Sequence, residues 1–403
     1  MLPVDEALRR VLAPLGVLPG EIVPLGAGLG RVLAADLPAT RDQPPCDLSA
    51  MDGYAVRAAD RASGEAWLDV VGEAPAGGSH DRPLQPGQAV RIFTGGPLPE
   101  GADAVAIQEN AEVHGSRVRL TGAVEPGTYV RPRGLDFRAG EVGLPAGHAL
   151  TARDLGFAAA LNHAWLPVRR RPRLALLATG DELVPPGSPL GPNRIVSSNS
   201  TALAAMIAAW GGEAVDLGIA GDRPAELAEA VRGAAGCDML VTTGGASVGD
   251  HDLVRSVLGR HGLELDFWQI AMRPGKPLLF GSLGGVPLLG LPGNPVSVGV
   301  CALLFVRAAV RAMLGLDPAL PETTGVLGVE LGPNDRRQEY LRSASTRRPD
   351  GTLEVRPFKR QDSSMLALFA RADCLVVREP FAPAMGPGTT VRVVPLGDSL
   401  VRV

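Results

Sequence analysis

Short apolar runs alternate with amphipathic helical patterns in the middle of the chain, and this alternation constrains the fold more than any other feature. The runs at 174–178, 214–218 and 239–243 predict strands, and the pattern at 224–232 predicts a helix between the last two. A chain that alternates in this way builds a sheet of parallel strands with helices on both faces. We therefore predict a central doubly wound α/β domain of three layers over residues 172–318.

The residues on either side of that domain carry short β-type runs separated by turn residues. They predict a small β domain at 46–139, inserted into the chain, and a small C-terminal β-barrel-like domain at 319–403. Residues 1–45 and 140–171 are left for a discontinuous N-terminal helical and linker domain, in which Thr151 begins a helix with a capping box. The predicted fold class is multidomain, α/β and β.

Three glycine-rich loops, at 242–252, 273–277 and 290–297, follow or adjoin apolar runs. Glycine lets a backbone approach a ligand closely, and a helix N-terminus favours an anion. Donors and positive charge beside the loops come from Ser247, Arg273, Lys276 and Ser297. This set suits a phosphate or another tetrahedral oxyanion. Structural turns would explain the same glycines, and a helix start alone would explain 292–295.

Five acidic side chains lie next to predicted turns: Asp52, Asp136, Glu182, Asp222 and Asp252. Carboxylates at the ends of sheet strands suit Mg²⁺, which prefers oxygen ligands and bridges to phosphates. Two of these acids also have purely structural interpretations. Asp222 could be no more than a helix cap, and Asp52 could be no more than part of a turn with Gly53. The residues by themselves predict a protein that binds a phosphorylated ligand or an oxyanion together with Mg²⁺.

The overall composition excludes several classes of protein. The formal net charge is −4 and no basic run is present, which argues against a nucleic-acid partner. The N-terminus lacks a signal-peptide pattern, and the apolar stretch 296–316 contains Arg307 and Arg311, so we expect a core helix and no membrane association. The four cysteines are far apart, as are the six histidines, which favours free thiols in the cytoplasm and argues against a zinc site.

The motifs taken together resemble one protein family. The matching segments occur in the family's order, which makes the set specific; they are 44–57, 93–103, 133–136, 179–183 and the three glycine-rich loops. The chain resembles the molybdopterin molybdenumtransferases (MoeA and the gephyrin E domain). The resemblance implies insertion of molybdate into adenylylated molybdopterin (molybdopterin-AMP), with Mg²⁺ and with release of AMP. It also implies a homodimer with a shared active site, in which the inserted β domain of one subunit faces the α/β domain of the other.

The resemblance assigns roles to positions of this chain. The catalytic positions are Asp52, Thr94, Asp136, Glu182, Asp222 and Asp252, of which Glu182, Asp222 and Asp252 bind the metal. The positions that bind the adenylylated cofactor are Gly244, Gly245, Ser247, Pro292, Asn294 and Pro295. The positions for molybdate are Arg273, Lys276, Pro277, Ser297, Arg342 and Ser363. Arg273 stands where the family frequently has a lysine, so the charge is kept but the donor geometry differs.

The sequence leaves three further functions open. A molybdopterin adenylyltransferase resembles only residues 172–316, and the flanking β domains argue against it. A molybdopterin-binding scaffold protein is the second, and a tungstate-using paralogue is the third. Molybdopterin adenylyltransferase and molybdoenzyme-loading proteins are the expected partners besides a second copy of the chain.

Overall fold

The computed structural model describes residues 1–61, 67–221, 223–244, 259 and 262–397. The chain forms two compact units. Unit 1 comprises Met1–Glu21, Gly30–Ala34 and the chain from Val168 onward, and unit 2 comprises Ile22–Leu29 and Ala35–Pro167. The predicted α/β domain and C-terminal β domain both lie in unit 1.

A six-stranded sheet forms the centre of unit 1. Its strand order is Glu213–Ala220, Arg173–Thr179, Met239–Thr243, Val286–Leu291, Leu279–Leu283 and Leu263–Phe267. The first four strands are parallel, whereas the last two pair antiparallel with their neighbours. The α/β fold class is confirmed, but the sheet, expected to be parallel, is antiparallel at one edge. A tight turn at Gly284 and Gly285, both at positive φ, joins the strands Leu279–Leu283 and Val286–Leu291 as a hairpin.

Helices cover this sheet, as the alternating pattern predicts. Pro224–Arg232 has proline at its first turn and packs Leu227 and Val231 against Ala175, Leu177 and Leu240 of the sheet. Among the described residues, two more helices contact the sheet, Asn199–Ala209 and Pro295–Met313, and they also contact each other. The latter contains a π-helical segment at Ala302–Val306. The N-terminal helix Val4–Leu12 packs against this long helix.

The helix Pro295–Met313 is long and apolar enough to cross a membrane by length and composition alone. Most of it is buried inside the protein, and every residue from Val296 to Cys301 is buried. Burial against protein on all sides is the environment of a core helix, in agreement with the sequence-based expectation.

The C-terminal part of unit 1 is a closed five-stranded barrel, which confirms the predicted barrel-like domain. Around the barrel the strands run Gln338–Arg347, Leu353–Pro357, Thr323–Leu327, Thr390–Pro395 and Cys374–Arg378, and the last pairs with the first. The ring of five strands is closed, so none of the five is an edge strand. The short strand Met272–Arg273 lies outside the ring and pairs with the start of Gln338–Arg347. This addition links the loop at 273–277 to the barrel. A short helix, Leu366–Ala370, precedes the barrel strand Cys374–Arg378 along the chain.

Unit 2 contains the inserted β sheet that the sequence predicts. Its strand order is Ala104–Ile107, Gly53–Val56, Gln88–Ile92, Trp67–Ala74, Arg117–Leu120 and Ala111–His114. The helix Ala152–Ala160 begins with the expected capping box, in which the side chains of Thr151 and Asp154 each bond the other's backbone N–H. Unit 2 also contains the short strands Leu37–Pro38, Leu48–Ser49, Val130–Arg131 and Val142–Leu144. The paired strands Gly20–Pro24 and Trp165–Arg169 contain residues of both units, and the short pair Leu183–Val184 and Ile195–Val196 belongs to unit 1.

Candidate functional site

The carboxyl ends of three neighbouring parallel strands bring two of the glycine-rich loops together. Gly244 follows one strand at φ +85°, and a Cβ there would lie 2.3 Å from the carbonyl oxygen of Thr179. A Cβ on Gly293 would lie 3.8 Å from the Cα of Gly244, and the Gly293 carbonyl accepts a 2.9 Å bond from Asn199 Nδ2. Only glycine fits at 244, so the first loop can run close to its neighbours at the edge where such sheets bind ligands.

Glu182 lies at the same edge, after the strand Arg173–Thr179. Its side chain is exposed, and a Cβ on Gly180 would be 2.5 Å from its Oε2. Among the described residues no hydrogen bond or ion pair of the Glu182 carboxylate is found, and no group of three or more potential metal ligands occurs. The other two predicted metal ligands, Asp222 and Asp252, lie outside the described residues, as do Gly245 and Ser247.

A cavity of about 700 Å³ lies where the α/β domain meets the barrel. Five of the six predicted molybdate residues line it, and so do Pro292 and Asn294. Its lining is Met272, Arg273, Pro274, Gly275, Lys276, Pro277, Pro292, Gly293, Asn294, Ser297, Arg337, Gln361, Asp362 and Ser363. The structure thus assembles the second and third glycine-rich loops with a barrel segment at 361–363.

The start of the helix Pro295–Met313 forms one wall of this cavity. Asn294 and Pro295 take the predicted N-cap and first helical positions, but the Asn294 side chain makes no capping bond. Its Nδ2 instead donates to Ser363 Oγ at 2.7 Å, and the Val296 amide donates to the Ser363 carbonyl at 3.0 Å. Ser363 is therefore tied to the positive end of the helix, where an anion is favoured.

The loop 273–277 forms the opposite wall. Gly275 has φ +110°, and a Cβ there would lie 2.5 Å from Cys301 Sγ and 2.7 Å from Met272 Cε. The loop therefore needs glycine to pack on the long helix. Burial of Cys301 raises the pKa of its thiol, so this sulfur remains protonated.

The guanidinium of Arg273 is already engaged by two carboxylates. Its Nη1 lies 3.3 Å from Glu339 Oε1, and its Nη2 donates to Asp335 Oδ2. Arg273 and Glu339 are direct partners in the strand pairing that joins this loop to the barrel. By contrast, Lys276 has no ion pair within the described part of the chain. Lys276 is thus the cavity's free positive charge.

Arg342, the sixth predicted molybdate residue, is not among the residues that line the cavity. It is 1% exposed, and its Nε and Nη1 donate to Gln361 Oε1 at 3.0 Å and to the Asp362 carbonyl at 2.7 Å. Desolvation by burial lowers the pKa of Arg342. In this structure Arg342 positions the segment that lines the cavity.

Asp335, Arg337 and Glu339 belong to the site but did not emerge from the sequence. Arg337 lines the cavity and binds Asp335, with 2.6 Å between Arg337 Nη2 and Asp335 Oδ2. The hydrogen bond from the Arg337 side chain, helped by the charges of both Arg273 and Arg337, lowers the pKa of Asp335 to about 2. The only sequence signal is the charged run at 335–339, directly before a strand, which would ordinarily indicate a solvated turn.

In unit 2 the structure brings Asp52 and Thr94 into direct contact. The backbone N–H and the hydroxyl of Thr94 both donate to Asp52 Oδ1, each at 2.7 Å. These bonds, and more weakly the charge of Arg91, lower the pKa of Asp52, so this carboxylate stays ionised. Gly53 must be glycine because a Cβ would lie 1.9 Å from the Ala106 carbonyl oxygen.

Asp136 also lies in unit 2, in an exposed turn whose amide donates to the Gln43 carbonyl at 2.9 Å. Within the described residues no hydrogen bond joins its carboxylate to Asp52 or Thr94. The catalytic role expected for Asp136 stays a prediction.

Three family models match the chain in order and together span nearly all of it. They are the MoeA N-terminal region (domains I and II) at residues 2–162, the probable molybdopterin binding domain at 175–312 and the MoeA C-terminal region (domain IV) at 324–396.

Curated relatives and solved structures agree with these matches. The chain is 42% identical over 304 residues to a molybdopterin molybdenumtransferase of Nostoc sp., covering 73% of this chain and 70% of the relative. It is 32% identical over 405 residues to the enzyme of that name from Haemophilus influenzae, covering 99% and 100%. The crystal structure of a molybdopterin biosynthesis MoeA protein from Pyrococcus horikoshii superposes with a TM-score of 0.86 at 30% identity, covering 99% of this chain and 100% of that one.

Proposed function

Because the chain belongs to the MoeA family of molybdopterin molybdenumtransferases, and is therefore a transferase of molybdenum cofactor biosynthesis, we propose how it acts. It binds adenylylated molybdopterin at the carboxyl edge of the central sheet and inserts molybdate into it. The reaction releases AMP and leaves molybdenum-molybdopterin, with Mg²⁺ as the divalent cation. We place this activity in the cytoplasm.

The cavity between the α/β domain and the barrel is the observation that carries this proposal. It combines the ammonium of Lys276, which has no ion pair in the described part of the chain, with the hydroxyls of Ser297 and Ser363 at the start of a helix. Molybdate is a tetrahedral dianion, and a cation, hydroxyl donors and helix amides are the groups that stabilise one. Lys276 supplies charge there, while Arg342 fixes the segment that carries Ser363.

The nucleotide belongs over the neighbouring loops. Gly244 and Gly293 leave backbone space at the end of the sheet, which suits close approach of a phosphate. Glu182 fits a magnesium ion in charge and donor type, since it is an exposed carboxylate without a partner among the described residues. When bound, Mg²⁺ neutralises charge on the phosphoanhydride that is cleaved. Glu182 would hold the ion, with Asp222 and Asp252 as its expected co-ligands.

We assign Asp52 and Thr94 to the same reaction. They would face a shared site from the side opposite to the α/β domain. Their hydrogen bonds keep the Asp52 carboxylate ionised and point it in a fixed direction. A fixed carboxylate can orient the phosphoanhydride or a second oxygen ligand of the metal. We propose that the two residues act on the cofactor bound by the partner subunit of a homodimer.

The direct test measures AMP release from adenylylated molybdopterin by the purified protein. We expect release to need both Mg²⁺ and molybdate, and the product to activate a molybdoenzyme apoprotein. Tungstate in place of molybdate, in the same assay, separates a molybdenum enzyme from a tungstate-using one. If AMP is released equally well with and without the oxyanion, the proposed coupling of AMP release to molybdate insertion is refuted, even if the nucleotide binds.

A further inference from the structure

The cavity lined by the segments 272–277, 292–297 and 361–363, named here the oxyanion cavity, has three cations in its lining and three carboxylates either in the lining or bonded to it. Arg273, Lys276 and Arg337 line it. Against them stand Asp362, which also lines it, and Asp335 and Glu339, which bind the two arginines. A site built only to attract a dianion would not have one acid in its lining and two more bonded to its arginines, because each one repels the ligand.

Asp335 is the centre of this arrangement. Its Oδ2 accepts from Arg273 Nη2 and from Arg337 Nη2, and Arg337 Nε lies 3.3 Å from its Oδ1. One carboxylate therefore holds both guanidinium groups. Of the three cations that line the cavity, Lys276 is the one without an ion pair among the described residues.

The Asp335 carboxylate is itself fixed by its backbone. The Asp335 amide donates to Asn334 Oδ1 at 2.8 Å, and the Arg337 amide donates to Asp335 Oδ1 at 2.9 Å. The Asp335 carbonyl accepts from the Phe381 amide at 2.7 Å. The acid is built into two connected barrel loops, so its position does not depend on either arginine alone.

We propose that Asp335 is a positioning and specificity-determining residue that limits the positive charge which the cavity presents to an oxyanion. It fixes the directions of the Arg273 and Arg337 guanidinium groups and offsets their charge, so that the ligand is selected by fit. This inference rests on the proposed molybdate-binding function of the same cavity.

The physical reason for such a device is competition from other dianions. Sulfate has the same charge and shape as molybdate but is smaller, so a stronger electrostatic field would favour sulfate. Selection of the larger ion must therefore come from the spacing of the donors. By offsetting part of the guanidinium charge, Asp335 lowers the affinity of the cavity for every dianion. The spacing of the donors then accounts for a larger part of the binding free energy that remains.

The test compares Asp335→Asn with a matched control, Glu354→Gln. Glu354 also holds two arginines, Arg348 and Arg356, on the same barrel, but it does not line the cavity. Calorimetric titration of each variant with molybdate and with sulfate gives the two affinities. We expect Asp335→Asn to tighten both dianions and to lower the ratio of molybdate to sulfate affinity, because removing a negative charge strengthens the field for either ion and most for the smaller one. The control should match the wild-type protein.

Asp335→Glu provides the rescue, since it keeps the charge and should restore the wild-type ratio of molybdate to sulfate affinity. If Asp335→Asn melts well below the wild type, Glu339→Gln removes the other carboxylate on Arg273 and should shift the ratio in the same direction. An unchanged ratio in a folded Asp335→Asn or Glu339→Gln protein overturns the inference. The proposed function is tested separately by molybdate-dependent AMP release from the wild-type protein, so either can fail alone.

Discussion

Lysine is rare in this chain, and one of its few lysines lies in the candidate site. Only Lys276 and Lys359 occur among 39 basic residues, and all the others are arginine. Lys276 lines the oxyanion cavity, whereas Lys359 is exposed on the barrel. An ammonium is a compact point charge with three donors that can rotate, while a guanidinium is a rigid fork that suits planar carboxylates. The arginines of the site accordingly bind acids, and the lysine stays unpaired among the described residues.

We expect Lys276→Ala to raise the molybdate concentration needed for half-maximal AMP release by about tenfold or more, since it removes a charge-assisted contact of about 1.5–3 kcal/mol. Binding of the adenylylated cofactor should change much less. Lys359→Ala is the matched control because it deletes the only other lysine. Equal weakening of molybdate and cofactor binding in Lys276→Ala would contradict the assignment.

At the scale of elements, the helix Pro295–Met313 links the site to the fold. Its first residues bond Ser363 of the barrel, and its next turn carries Gly299 against the ring of Phe369. A Cβ on Gly299 would lie 2.3 Å from Phe369 Cε1, so the short helix Leu366–Ala370 docks where this glycine leaves room. The docking of two elements therefore sets the position of the segment that lines the cavity.

The sign of one substitution should depend on this contact. In the wild-type background Gly299→Ala should destabilise the protein by about 1–3 kcal/mol, because the methyl overlaps the ring. In a Phe369→Ala background the same change should stabilise by up to about 1 kcal/mol, because alanine favours a helix interior over glycine. Denaturant unfolding of the four proteins measures the coupling.

Leu366→Ala, on an exposed residue of the same short helix, controls for helix propensity. If Gly299→Ala has the same effect in both backgrounds, the ring does not determine the docking.

At the scale of the whole molecule, the candidate residues fall into two separate compact units. Asp52 and Thr94 lie in unit 2, whereas the oxyanion cavity and Glu182 lie in unit 1. Family membership is the ground for proposing that two subunits complete each other's sites. In a symmetric dimer the arrangement would be reciprocal, so both sites would be alike.

Mixing two impaired variants tests the shared site. Asp52→Asn and Lys276→Ala, unfolded and refolded together in equal amounts and assayed at a molybdate concentration too low for Lys276→Ala to act, should regain about one quarter of the wild-type activity, because half of the dimers would be mixed and each would contain one intact site. Each variant refolded alone is the control. Absence of recovery, with mixed dimers shown to form, would mean that one subunit supplies both residues of a site.

Much of the local structure could be predicted because it depends on neighbouring residues. The helix Pro224–Arg232 and the strand Met239–Thr243 have the predicted bounds, and Thr151 caps its helix as expected. Prediction failed at the antiparallel edge of the central sheet. The strand–helix alternation before it favours parallel strands, whereas the Gly284–Gly285 turn and the alternation of apolar and polar residues over Leu263–Phe267 are local signals of antiparallel pairing.

The sequence by itself determined the alternating α/β core, the flanking β domains, the family, and most of the residues that line the oxyanion cavity. It did so because periodicity, turn chemistry and ordered motifs are all local properties of a chain. Only the tertiary structure decided that Arg273 is paired with Asp335 and Glu339, since the strand pairing of Arg273 with Glu339 joins residues more than sixty positions apart. Which charges of a site are free to meet a ligand depends on such long-range contacts, and for that reason Lys276 could be distinguished from Arg273 only in the folded protein.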